Sequence, residues 1–202
     1  MTPPVAPAPH ILTRLYRNRF NSEARRSKER LWAVLVERFL QRFVPRDAVV
    51  IDIAGGFGEF AAQVHAARKI VIDLNPQAAE ARADIEFRNA DVLHLQQQRD
   101  LTGVADVVFV SNFFEHLASA GELLQVLAGC HSLLKPTGVL LVIQPNFRYA
   151  FREYYDFLDH ALPLTDRSIR EALEASDFIV DELIPRFLPF TTRGRPTSPK
   201  LL

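Results

Sequence analysis

Apolar residues gather in short, nearly unbroken runs along this chain, and the stretches between the runs have helical spacing. Val49 to Ile53 is apolar apart from Asp52 and predicts a buried strand. Lys69-Ile-Val-Ile-Asp-Leu-Asn-Pro76 predicts a second strand, ended by an acid and a proline turn. Asp84 to Arg88 predicts a short third strand, Ala105 to Val110 a fourth, Val139 to Gln144 a fifth and Phe178 to Leu183 a sixth. Helices are expected over Glu59 to Arg68, over Gly121 to Leu134 before Lys135-Pro-Thr-Gly138, and over Arg167 to Ser176 with Thr165 or Asp166 as cap. Upstream, Leu15, Phe20, Leu31, Leu35, Phe39 and Phe43 define a helical lead-in broken near Asn21-Ser22, where Ser22 caps a second helix. Trp32 shares the face of Leu35 and Phe39 as a core anchor. Strands alternate with helices and no hairpin signal appears, so the fold class is α/β, a doubly wound and mainly parallel sheet.

The first strand runs into three glycines within four positions, Gly55-Gly56-Phe57-Gly58, and then into a helix. Glycine tolerates positive φ and lets a ligand lie against the backbone, while the free N–H groups of the following helix point at the same spot. A nucleotide-like ligand is the first expectation. Gly56-Phe-Gly-Glu-Phe-Ala61 also fits the loose dinucleotide fingerprint, and a purely structural turn has the same letters. Asp52 separates the readings: at the mouth of the strand its carboxylate would repel a pyrophosphate, but could pair with the α-ammonium of S-adenosylmethionine (SAM). Asp73, ending strand two, is placed to accept both hydroxyls of a ribose. The acid of Asn89-Ala-Asp91-Val92 could accept from an adenine amine.

Composition narrows the classes. The 202 residues suit one domain, with a disordered tail over 1–10, a single domain over 11–190 and an irregular tail over 191–202. Lys plus Arg balance Asp plus Glu at 24 each, so no global positive field favours nucleic acid. The basic run Arg14, Arg17, Arg19, Arg25, Arg26, Lys28 and Arg30 reads as a solvated face. Cys130 is the single cysteine, which excludes an intrachain disulfide and a Cys-based zinc site and fits a reducing, cytoplasmic setting. No apolar run is long enough for a membrane span, and the N-terminus lacks the order of a secretory signal.

Taken together, Asp52-Ile-Ala-Gly-Gly-Phe-Gly58, Asp73, Asn89-Ala-Asp91, Ser111 to Leu117 and Leu134-Lys-Pro-Thr-Gly138 resemble a class I SAM-dependent methyltransferase over about Leu31 to Phe190. The Glu-His-Leu after strand four and the Pro-Asn-x-Arg-Tyr, Asp-Phe-x-Asp-His and Arg-Phe-Leu-Pro-Phe-Thr runs are similar to small-molecule methyltransferases associated with bacterial envelope glycans. The resemblance implies the Rossmann-like methyltransferase fold with SAM as cofactor. It further implies that Asp52 and Gly56 face the methionine portion, that Gly55 and Gly58 shape the turn, and that Asp73 with Leu74 meets the ribose side. Asp91 and the Val92 N–H would hold adenine, and Ser111, Asn112 and Phe113 would line the floor between cofactor and acceptor. Two departures stand out. Ala54 replaces the family's usual first glycine, tolerable at negative φ but strained in a left-handed turn. The usual seventh, antiparallel strand has no counterpart after Leu183.

Methyl transfer is an in-line displacement at a carbon already activated by the sulfonium, so most acceleration comes from alignment. A hydroxyl acceptor gains from a base, and His160 and His116 lie on the acceptor side; Tyr149, Tyr155, Asn146 and Arg148 are candidates to orient the acceptor. His10, His65, His94 and His131 are scattered, and no metal is expected. The proline pair of many base-nitrogen methyltransferases is missing from Ser111-Asn-Phe-Phe114, which disfavours a nucleobase amine. The expected function is methyl transfer to oxygen of a small-molecule or glycan acceptor. The rival readings are a non-catalytic or truncated domain of the same fold and an NAD(P)-dependent oxidoreductase.

Overall fold

The computed structural model describes residues 22–75 and 84–188. The expected tails, and Arg14, Arg17 and Arg19 of the basic run, lie outside the described residues. A helix α1 (Ser22–Arg38) precedes strand β1 (Val49–Ile53), followed by the short helix α2 (Glu59–Gln63), β2 (Arg68–Asp73), β3 (Glu86–Asn89) and β4 (Ala105–Ser111). Helix α3 (Ala120–Leu133) leads into β5 (Leu134–Ile143), and two helices follow, α4 (Phe147–Ala150) and α5 (Asp166–Ala175). The five strands pair in the order β3-β2-β1-β4-β5, every pair parallel.

Alternation along β1 and β4 sorts side chains to two cores. Ile51, Ile53, Val108 and Val110 face α3 and α5 together with Leu123, Leu127 and Ile169. Val50, Val107 and Phe109 face α1, where Trp32 meets Phe109 edge-on at 5.8 Å and Phe60 stacks on Phe109 at 3.8 Å. Trp32 is therefore the core anchor that its spacing predicts. A sheet buried on both faces explains why its central strands are continuous apolar runs.

Three boundaries depart from expectation. The helix after the glycine turn ends at Gln63 because Ala67 and Arg68 both donate to the Ala48 carbonyl, which draws the chain into β2. Lys135 to Gly138 is a bulge within β5: Leu134 pairs with Ala105 and Val139 with Val107, so the longer run on β5 must bow outward. The sixth strand expected over Phe178 to Leu183 is not formed. That segment is irregular and takes no place in the sheet, with Ile179 90% exposed and Glu182 bound to Arg42 at 2.9 Å, and Phe187 beyond it lies against Phe39 at 4.5 Å. Its anchors lie in the turn that follows α1 rather than on β5, and among the described residues the sheet holds no antiparallel strand.

Candidate active site

Parallel strands bring their carboxyl ends to one edge, and the expected cofactor residues come from four of those ends. After Ile53 the chain turns through Ala54 at φ 52°, Gly56 at φ 57° and Gly58 at φ 69°. Ala54 is thus left-handed, the strained alternative for a residue with a Cβ. Its N–H donates to the Ile72 carbonyl at 2.8 Å, which locks the turn to β2. Gly55 is required for space: a Cβ there would lie 2.6 Å from Asp52 Oδ2. The Asp52 carboxylate therefore packs directly under the turn.

Asp52 is 2% exposed, and burial raises its pKa well above the ordinary carboxylate value, with Glu59 and Asp73 adding repulsion and Lys28 opposing them. Asp73 is also raised, again mainly by burial; its Oδ2 accepts the Gly56 N–H at 2.8 Å and its Oδ1 the Asn75 N–H at 2.7 Å. Each of its oxygens keeps a lone pair for a ribose hydroxyl. Glu59, first residue of α2, is buried and pairs with Lys28 Nζ at 3.0 Å. Three carboxylates against one ammonium make a pocket suited to a cationic group, and the open space at Gly56 leaves backbone room beside it. These features fit a methionine tail and ribose. Sequence reasoning overlooked Glu59 and treated Lys28 as solvated; the one available signal was an acid directly after the glycine turn, ahead of an apolar residue.

Along the same edge, Asn89 Nδ2 donates to the Leu74 carbonyl at 2.9 Å and ties the β2 and β3 ends together. Leu74 is 62% exposed beside Asp73, a large apolar surface at the ligand edge. Asp91 caps the 3-10 turn Val92–Gln97, its Oδ1 accepting the Leu93 N–H at 2.9 Å, while the Val92 side chain is in the core. At the end of β4, Asn112 adopts φ 49°, donates from its backbone N–H to the Ile143 carbonyl and from Nδ2 to Ser111 Oγ at 2.8 Å. Phe113 packs its ring against the core.

The expected histidines come together. The 3-10 turn Phe114–His116 follows β4 directly, and the Glu115 carbonyl accepts N–H groups from Ala161 at 2.7 Å and Leu162 at 3.1 Å. That clamp brings the segment around Ala161 against the turn, so the rings of His116 and His160 meet edge-on at 5.1 Å. His160 also stacks on Phe157 at 4.8 Å. His116 Nδ1 sits 3.1 Å from the Asp159 carbonyl and 3.3 Å from Asp159 Oδ2. Glu115, which sequence reasoning used only as part of a motif, is 2% exposed, its pKa is raised chiefly by burial, and Oε2 has no hydrogen-bond partner among the described residues. Of the expected acceptor residues, Tyr149 and Tyr155 are exposed, whereas Asn146 caps α4 and Arg148 lies 3.7 Å from Asp166.

A doubly wound parallel sheet with a glycine turn after β1, an acid ending β2 and a second acid after β3 defines the Rossmann-like class that binds nucleoside ligands at its carboxyl edge. Residues 51–140 match the family model described as a methyltransferase domain, and the fold is that of the class I SAM-dependent methyltransferases. Solved structures agree on the fold. A SAM-dependent methyltransferase from Archaeoglobus fulgidus is 21% identical, with TM-score 0.64 over 85% of this chain and 75% of that one. A possible histamine N-methyltransferase from Thermotoga maritima is 15% identical, with TM-score 0.63 over 82% and 81%. A Haloferax volcanii complex of the Trm112 activator and a putative methyltransferase is 17% identical, with TM-score 0.54 over 73% and 75%. No curated protein sequence matches the chain. No described helix is long and apolar enough to cross a membrane.

Proposed function

We propose that the chain transfers the methyl group of SAM to an oxygen of a small-molecule or glycan acceptor held beside Glu115, His116 and His160. The observation that carries this reading is the meeting of the two imidazoles at 5.1 Å on the turn that leaves β4, next in the sheet to the strand bearing the glycine turn. Bound SAM supplies a methyl carbon made electrophilic by its sulfonium. Asp52 and Glu59 would hold the methionine end, Asp73 the ribose, and Asp91 with the Val92 N–H the adenine. Ser111, Asn112 and Phe113 would separate cofactor from acceptor. An acceptor hydroxyl held here would attack that methyl carbon, with S-adenosylhomocysteine as the leaving group, and would pass its proton to the histidine pair. Asp159, against His116 Nδ1, would keep the His116 Nε2 lone pair available for that proton.

The test is a screen of hydroxylated glycans and small acids, with S-adenosylhomocysteine release as readout. Amines belong in the same screen, because one structural neighbour is described as a possible histamine N-methyltransferase. With the acceptor in hand, His116→Ala and His160→Ala are each expected to lower kcat ~10²-fold or more while leaving SAM affinity unchanged. Full turnover in both variants would sink the histidine role, and turnover of amines alone would sink the oxygen acceptor.

A further inference from the structure

Glu115, His116 and His160 each offer one ligand atom, and these atoms all lie within 4.8 Å of one another. Two imidazoles and one carboxylate form a recurrent donor set for first-row divalent cations, whose ligands stand ~3.4 Å apart in a tetrahedral site, so closing this cluster onto an ion needs shifts of about an ångström or less. Three features separate it from a chance gathering of polar side chains. Glu115 is almost wholly buried with Oε2 unpartnered among the described residues, a costly arrangement that a cation would relieve. His116 Nδ1 is engaged by Asp159, which leaves Nε2 as its ligand nitrogen, and a carboxylate behind a histidine is the usual outer support of a metal-ligating imidazole. The Glu115 carbonyl ties the two ligand-bearing segments together through Ala161 and Leu162, so the cluster is built before any ion arrives.

We propose that Glu115, His116 and His160 bind one divalent cation of the zinc or manganese kind at the acceptor end of the site. Three protein ligands leave at least one coordination position for water or an acceptor oxygen, as in catalytic rather than structural zinc sites. A hydroxyl coordinated there loses its proton more readily, so with the ion bound the histidines act through it and the proton leaves to solvent, in place of the direct transfer to His116 Nε2 in the metal-free site. Only that consequence rests on the oxygen-acceptor reading; the cation site stands on its own geometry. Magnesium, which prefers oxygen ligands, binds more weakly at such a donor set.

The test is calorimetric titration of ZnCl2, MnCl2 and MgCl2 into the EDTA-treated full chain, beside Glu115→Gln and His160→Ala, with SAM affinity as the control for folding. Wild type is expected to take up one equivalent of zinc or manganese, and each variant to bind it ~10-fold or more weakly at unchanged SAM affinity. Should a variant fail to fold, histidine proton resonances of the wild type decide: substoichiometric Mn2+ should broaden two of the six imidazoles first. No saturable one-equivalent binding of any of the three metals overturns the proposal. So does an affinity unchanged in both variants, or broadening confined to the exposed histidines. Metal binding without methylation of any hydroxyl would leave the cation site standing and remove the acceptor reading, and metal-independent methylation with no binding would do the reverse.

Discussion

Ala54 and Gly55 are adjacent residues with opposite requirements. Ala54 carries a methyl group at φ 52°, where a glycine would sit without strain, and Gly55 has no room for a methyl because Asp52 fills it. Ala54→Gly should therefore raise stability by ~0.5–1 kcal/mol, the relief of left-handed strain exceeding the extra entropy of an unfolded glycine. Gly55→Ala should lower it by at least ~1 kcal/mol and weaken SAM binding, because the Asp52 carboxylate must move. Urea denaturation of both variants, with SAM titration, checks the pair; equal effects of the same sign would contradict this account of the turn. The order of glycines was legible in the sequence. That Ala54 occupies the left-handed position was not, since backbone φ depends on how β1 meets β2.

Elements place the site by packing as much as by pairing. Helix α3 presents Gly129 to the 3-10 turn that Asp91 caps, and a Cβ there would stand 2.8 Å from Leu95 Cβ. Gly129→Ala should cost about 1–3 kcal/mol by overpacking, and it should weaken SAM binding by displacing the Asp91 loop although the mutation touches no cofactor residue. Chemical denaturation and SAM titration test both parts; lost stability at unchanged affinity would uncouple that loop from the cofactor. The strands and long helices were readable because each buries a periodic face. The segment Phe178 to Leu183 opens with a short apolar run, Phe-Ile-Val, like that of a strand but has no partner, and an isolated run does not form a strand. Its place against the turn that follows α1 came from Glu182 with Arg42 and Phe187 with Phe39.

Across the whole molecule the acids at the glycine turn oppose folding and await a cation. Asp52 and Asp73 have native pKa values raised above ordinary ones, chiefly by burial. Their contribution to stability is fully present below the ordinary carboxylate pKa, ~3.9, and is lost as pH rises through the raised native values. Asp52→Asn removes one of these charges while keeping the shape. The cofactor-free variant is expected to melt above wild type by ~2–4 °C per kcal/mol relieved, the gap widening with pH. The same substitution should weaken SAM ~10-fold or more, through loss of a charge-assisted contact. Melting curves at pH 5 and 8 with and without SAM measure both effects; a variant less stable at pH 8 would show that the Asp52 charge stabilises the fold.

The sequence by itself determined the α/β architecture, the five strands, the glycine turn and the acids at successive strand ends, because periodicity and turn chemistry are local. It also marked His116 and His160 as candidates. Only tertiary structure decided that those histidines meet each other and a buried Glu115, that Glu59 and Lys28 join the cofactor end, and that Phe178 to Leu183 stays outside the sheet. Each of these depends on contacts between segments tens of residues apart, set by strand order and by clamps such as the Glu115 carbonyl with Ala161, and local spacing carries no trace of them.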